Sequence, residues 1–206
     1  MELFTVHSLN QSLAELGARS GSELFPLLHK LHTDPARRYH SNEHINACLA
    51  HFGEYRPTAN RPAEIEIAFW FHDAIYDTRR SDNEEKSAEL AATELSSLGV
   101  KSEAITRISE MILATKSHQP NTTDAALVVD IDLGILGASL DIFERYDSAI
   151  REEYYWVPEE QYRLARANVL DDFLKRTYIY HTVAIREVLE NRARDNLRRK
   201  IAELRT

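Results

Sequence analysis

The sequence predicts an all-α protein, one compact multi-helix bundle across residues 1–206, and three observations carry that reading. Apolar residues recur at helical spacing almost throughout the chain. Six glycines and six prolines leave few turns, whereas a β-sandwich or barrel needs one every 8–12 residues or so. Hydrophobic residues at 43% supply a core, and no repeat or linker divides the chain.

Residues from about 21 to 33 set Leu24, Leu27, Leu28 and Leu31 on one stripe, which Asp34-Pro35 ends. A helix over about 41–53 would bury Ile45, Cys48, Leu49 and Phe52, and the segment from Pro57 to Pro62 closes it. The next, about 63–75, is apolar nearly all round and therefore belongs at the centre. Ser81 with Glu84 predicts a capping box, opening a helix that ends near Gly99. Ser102 is expected to cap another, bearing Ile105, Ile108 and Ile112. His118 to Thr123 reads as a loop before a helix through Val128, Ile131 and Leu136; Gly134 and Gly137 weaken its end or allow close packing. Pro158 suits the first position of a helix carrying Tyr162, Val169 and Phe173, and the last helix runs from about 182 to 204.

Thirty-three acidic residues against twenty-five Lys and Arg leave a net charge of −8. That argues against a nucleic-acid polymer or an anionic membrane as partner, while leaving room for a local basic pocket that takes a phosphate. The C-terminal Arg192, Arg194, Arg198, Arg199 and Lys200 alternate with acids and read as a solvated helix face. The first residues, Met1 to Phe4, lack the features of a signal peptide. The longest apolar run, Ile67 to Phe71, falls far short of the ~20 residues that span a bilayer. A single cysteine, Cys48, excludes an internal disulfide and agrees with a cytoplasmic location. Nothing in the sequence sets the oligomeric state.

Nine histidines are the unusual feature. His7, His29, His32, His51 and His181 have no partner at ligand spacing and read as structural or surface residues; His40, His44, His72 and His118 remain. His72-Asp73 ends the most apolar helix, on the stripe of Ile65, Ala68 and Phe69. A carboxylate there carries a buried charge unless it is paired or holds a metal. His44 lies at the edge of its own helix's core stripe, one turn before Cys48, and Asp130 and Asp132 sit on a third apolar helix. Two imidazoles and two carboxylates suit a divalent ion (Mn, Fe, Co, Ni, Zn or Mg) with positions left for water and a substrate oxygen. The alternative is a set of buried polar residues satisfied by hydrogen bonds.

These residues resemble the H…HD…D signature of the HD superfamily of metal-dependent phosphohydrolases. Arg37-x-Tyr39-His40-x-x-x-His44-Ile45, Phe71-His72-Asp73-Ala74-x-Tyr76, Asn83-Glu84-x-x-Ser87-Ala88 and Asp130-Ile131-Asp132-Leu133-x-x-Leu136-Gly137 are similar, in order, to its "predicted metal-dependent HD phosphohydrolase" branch. Tyr146 with Ile150-Arg151-x-Glu153-Tyr154 extends the likeness, which covers roughly residues 20–180. The resemblance implies an HD-type helical domain with His44, His72, Asp73 and one of Asp130 or Asp132 as metal ligands. The resemblance favours Asp132, because the superfamily's Asp is commonly followed by a Leu-containing helical turn, as in Asp132-Leu133, and Asp130 is the alternative.

The activity to expect is hydrolysis of a small, nucleotide-like phosphate ester through a metal-activated water. Asp73, or an acid beside it, would orient that water. His40, Glu84 and His118 are the further catalytic candidates, although Glu84 also has its capping role. Arg37, Lys116 and Arg151 are candidate phosphate clamps. A non-catalytic nucleotide sensor using the same pocket is the alternative, and a purely structural helical protein would need no metal.

Overall fold

A computed structural model of the protein describes residues 2–206, so Met1, the start of the N-terminal segment considered above, lies outside the described residues. Among those residues the regular structure is entirely helical, ten α-helices and two 3₁₀ turns with no strand. None of the helices is long and apolar enough to cross a membrane. They group into two compact units, Met1–Ile131 and Asp132–Thr206. The boundary falls at the last residue of a helix, where no change in composition marks it.

The first unit holds α1 (Val6–Glu15), α2 (Leu24–His32), α3 (Asn42–Tyr55), a 3₁₀ turn (Arg56–Thr58), α4 (Pro62–Phe71), α5 (Asn83–Ser97), α6 (Ser102–Ser117) and α7 (Thr123–Asp132), whose final residue opens the second unit. Helix α4 is the centre that its sequence predicts, with eight of its ten residues buried and α1, α3, α5 and α6 packed around it. Pro62 starts it, and the Asp124 carboxylate accepts from the backbone N–H groups of Asn60 and Arg61, both at 2.9 Å, just ahead of its first turn. Its buried Glu64 is held by two hydrogen bonds from Arg107 of α6, 2.8 and 2.6 Å.

Several expected boundaries move by a residue or more. Helix α4 stops at Phe71 rather than 75, because the chain turns off at His72. The capping box does not form. Helix α5 begins at Asn83, whose side chain joins the Asp77 backbone at 3.1 and 3.0 Å, and Arg80 occupies the Asp82 carboxylate. Ser102 is the first residue of α6, not its cap, and its hydroxyl donates to Glu103. In α2, Leu24, Leu28 and His32 face the core while Leu27 is exposed.

His32 therefore replaces an apolar side chain in the core. Its Nε2 donates to the Trp70 carbonyl at 3.0 Å, and Nδ1 faces an Arg37 nitrogen at 3.4 Å. Burial, with Arg37 close by, pulls its pKa down to about 3 against the opposing Trp70 hydrogen bond. A buried imidazole that must stay neutral confers stability that is complete above its unfolded pKa of about 6.5 and lost as pH falls towards about 3. His32→Gln, which can still donate to Trp70, should flatten that acid-side loss, worth roughly 3–5 kcal/mol at its limit. Parallel melts of both proteins from pH 7 to pH 4 check it; superimposable curves would contradict the assignment.

The second unit begins with a 3₁₀ turn (Leu133–Gly137), followed by α8 (Leu140–Glu153), α9 (Glu159–Lys175) and α10 (Val183–Leu204). Leu136, expected on a continuing α-helix, sits in that tighter turn. Gly137 is there for close packing: a Cβ would lie 2.7 Å from the Leu189 Cβ and 3.0 Å from its carbonyl oxygen. Pro158 is the residue before α9 rather than its first, and Val169 is exposed while Ala167 and Leu170 are buried. The C-terminal cations are only partly solvated. Arg194 donates to the carbonyls of Leu174, Arg176 and Thr177, Lys200 is buried among Glu144, Asp147 and Glu203, and Arg198 and Arg199 stay exposed.

Candidate metal centre

Ser41 caps α3 by accepting from the Glu43 N–H at 3.3 Å. From that start, residues 44 and 48 fall one turn apart on the buried side of the helix, so His44 and Cys48 point the same way. His72 closes α4, and its Nδ1 donates to the Phe69 carbonyl at 3.0 Å. That hydrogen bond turns Nε2 outward, 3.1 Å from the His44 Nε2 and 3.0 Å from the Asp73 Oδ2; the His44 Nε2 is itself 3.6 Å from that oxygen.

With Nδ1 already donating, the His72 Nε2 and the carboxylate face each other as acceptors unless a positive charge sits between them. Either a second proton on His72 or a metal ion supplies it. Burial on its own would raise the Asp73 carboxyl. The charge and hydrogen bond of His72, with His40 and His44 behind it, outweigh that and hold Asp73 well below the usual carboxylate range.

Ligands on one ion with bonds of about 2.0–2.2 Å lie about 3.0–3.5 Å apart. The three separations above are of that size. Within the first unit, His44, Cys48 and His72 also offer ligand atoms within 4.8 Å of one another, so these residues can hold a metal ion. Asp132 is the last residue of α7 and half-buried; Asp130, its alternative, is fully buried two residues earlier.

The segment after α4 is braced from two sides. Arg37 donates to the carbonyls of His40 (3.0 Å), Asp73 (2.6 Å) and Ala74 (2.9 Å), tying the entry to α3 to the His-Asp turn. The Ser87 hydroxyl accepts from the Ile75 N–H at 3.0 Å. The His40 ring stacks on Tyr76 at 4.2 Å, and its centroid lies 6.0 Å from that of His44. Tyr39 packs against both imidazoles.

The remaining candidates have partners of their own. Lys116 donates to the Ser81 carbonyl and to Glu85, and Glu84 lies 4.0 Å from the same ammonium. His118 closes α6 in the left-handed region at φ 52°, its N–H bonded to the Ala114 carbonyl. Arg151 belongs to the second unit, where it donates to the Tyr154 and Val157 carbonyls and to Glu159. Sequence reasoning treated Cys48 as core packing only. The available signal was its spacing of four from His44, which on a helix means a shared face.

No protein-family model, no curated protein and no solved structure matches this chain.

Proposed function

We propose that the protein is a metal-dependent phosphohydrolase of the HD type, cleaving a small, nucleotide-like phosphate ester. The observation that supports this most is the approach of the His44 Nε2, His72 Nε2 and Asp73 Oδ2 to within 3.0–3.6 Å of one another. His44, His72, Asp73 and Asp132 are the residues that would hold a divalent ion. Such an ion supplies Lewis acidity towards a phosphoryl oxygen and makes water a better nucleophile at neutral pH.

The chain's own residues do the rest. Asp73, kept anionic, accepts a hydrogen bond from the attacking water and orients it towards phosphorus. As the water oxygen bonds to phosphorus and the ester P–O bond breaks, the leaving oxygen would take a proton from protonated His40. The proton lost by the water would pass to solvent, from which His40 is recharged. Stacking on Tyr76 sets the plane of that imidazole, and Arg37 fixes its backbone. Arg37 thus serves as a brace for the site rather than a clamp on substrate, its donors being engaged by three carbonyls. Lys116 is engaged in the same way, by the Ser81 carbonyl, Glu85 and Glu84, and would have to exchange those partners to meet phosphate.

His40 and His44 separate the roles experimentally. His40→Ala should keep the metal and lose hydrolysis by about 10²–10⁴-fold, the contribution of a general acid. His44→Ala should lose both. Metal analysis and phosphate release on the two variants decide it. A His40→Ala protein with undiminished turnover would remove the acid role, and a metal-loaded wild type that binds a nucleotide tightly without cleaving any ester would make the protein a sensor.

A further inference from the structure

We propose that Cys48 is a thiolate ligand of the metal centre, giving it a sulfur donor that favours zinc, cobalt or ferrous iron over magnesium. This rests on the metal-dependent reading above and deepens it by naming the ion class.

Three observations carry it. The Cys48 Sγ lies within 4.8 Å of the ligand nitrogens of His44 and His72. It lies 3.7 Å from the His44 Nε2, the nitrogen that also faces His72 and Asp73. A thiolate and an imidazole on one zinc-type ion, with bonds of about 2.3 and 2.0–2.1 Å, stand about 3.1–3.6 Å apart at ordinary ligand angles. Finally, the sulfur and the His44 imidazole are both buried and on the same face of α3, so neither has to leave its helix to share an ion.

The electrostatics agree. Cys48 is 3% exposed, and His44 and His72 are as deeply buried. A divalent ion among them needs negative charge supplied locally, because water cannot screen it there. A thiolate would add to the negative charge that Asp73 already brings beside the His44 and His72 nitrogens. Coordination requires the thiol to give up its proton to solvent, and soft sulfur then selects zinc, iron or cobalt, whereas magnesium prefers oxygen donors and retained water.

The test uses the full chain, stripped with a chelator and reloaded with Co(II). Wild-type protein should show the intense near-ultraviolet absorption of sulfur-to-cobalt charge transfer. Cys48→Ser should bind cobalt without that band. Its affinity for zinc should fall at least about 100-fold, since loss of a mere hydrogen-bonding neighbour of a ligand already costs 10–100-fold. Cobalt taken up by wild type with no charge-transfer band overturns the proposal, and needs no variant to do so. An unchanged spectrum in Cys48→Ser overturns it equally. If wild-type protein takes up neither cobalt nor zinc, the metal-dependent reading itself fails; uptake without the band removes only the sulfur ligand.

Discussion

Replacing His72 and Asp73 together by alanine should leave the purified protein without its divalent ion and lower phosphate-ester hydrolysis by about 10³-fold or more. Both side chains point at one spot. The His72 Nε2 and the Asp73 Oδ2 are 3.0 Å apart, and each is within 3.6 Å of the His44 Nε2. The double change removes two of the donors at once while leaving most of the local scaffold. Arg37 grips the backbone carbonyls of Asp73 and Ala74, not their side chains, and Ser87 binds the Ile75 N–H. The fold should therefore persist, with a cavity cost of a few kcal/mol at His72 (about 2–4) that a melting curve will register. Metal analysis after purification without chelator reads the result. Full occupancy in the double variant would show that these residues are not the ligands.

Asp147→Ala should be the most destabilising single change in the second unit, by about 3–5 kcal/mol, which lowers Tm by roughly 10 °C. The carboxylate lies between two buried cations, 3.0 Å from the Arg166 Nε and 3.6 Å from the Lys200 Nζ, and all three side chains are only 10–11% exposed. Burial would discharge both bases. Instead, neighbouring Tyr146 and Asp147 keep Arg166 firmly charged, and hydrogen bonds to Glu144 and Glu203, together with Asp147, do the same for Lys200. Deleting Asp147 strips Arg166 of its one carboxylate hydrogen-bond partner, while Lys200 retains two. The loss therefore falls mainly on Arg166. Asp147→Leu combined with Arg166→Met should cost less than Asp147→Ala alone, because no charge is then left buried without its partner. Thermal melts of the two proteins compare them directly; a double variant less stable than the single would contradict the network.

That network also explains why parts of the fold do not show in the sequence. The helical period of α4 is plain because nearly every residue in it is apolar, and its central place follows. Helix α8 was harder to read because its buried line runs through Asp147, between Phe143 and Ile150. In α10, Asn196 and Lys200 interrupt the line of Leu189, Ala193, Leu197 and Ile201 in the same way. The start of α5 differs because Asn83 and Arg80 claim the turn before a serine can cap it, and at α6 the Ser102 hydroxyl is turned to Glu103 from inside the helix. The split at Ile131 leaves no trace in composition, since it falls within a continuous apolar helix.

At the site, the His-Asp pair stood out because a charge beside an apolar helix demands a partner. His44 followed from its position at the edge of a core stripe. Cys48 was hidden by its own chemistry, for a thiol on such a stripe packs as well as any small apolar residue. Only the structure shows its sulfur 3.7 Å from the His44 Nε2. The bracing by Arg37 was unreadable too, because an arginine destined for backbone carbonyls looks in sequence like one destined for phosphate.

The most direct measurement is release of inorganic phosphate from a panel of nucleoside mono-, di- and triphosphates by the wild-type chain, with and without chelator. Turnover of at least one of them that disappears with the chelator and returns on adding a divalent ion is the expected result. Metal-loaded protein that releases phosphate from none of them, or a rate indifferent to the chelator, would contradict a metal-dependent phosphohydrolase.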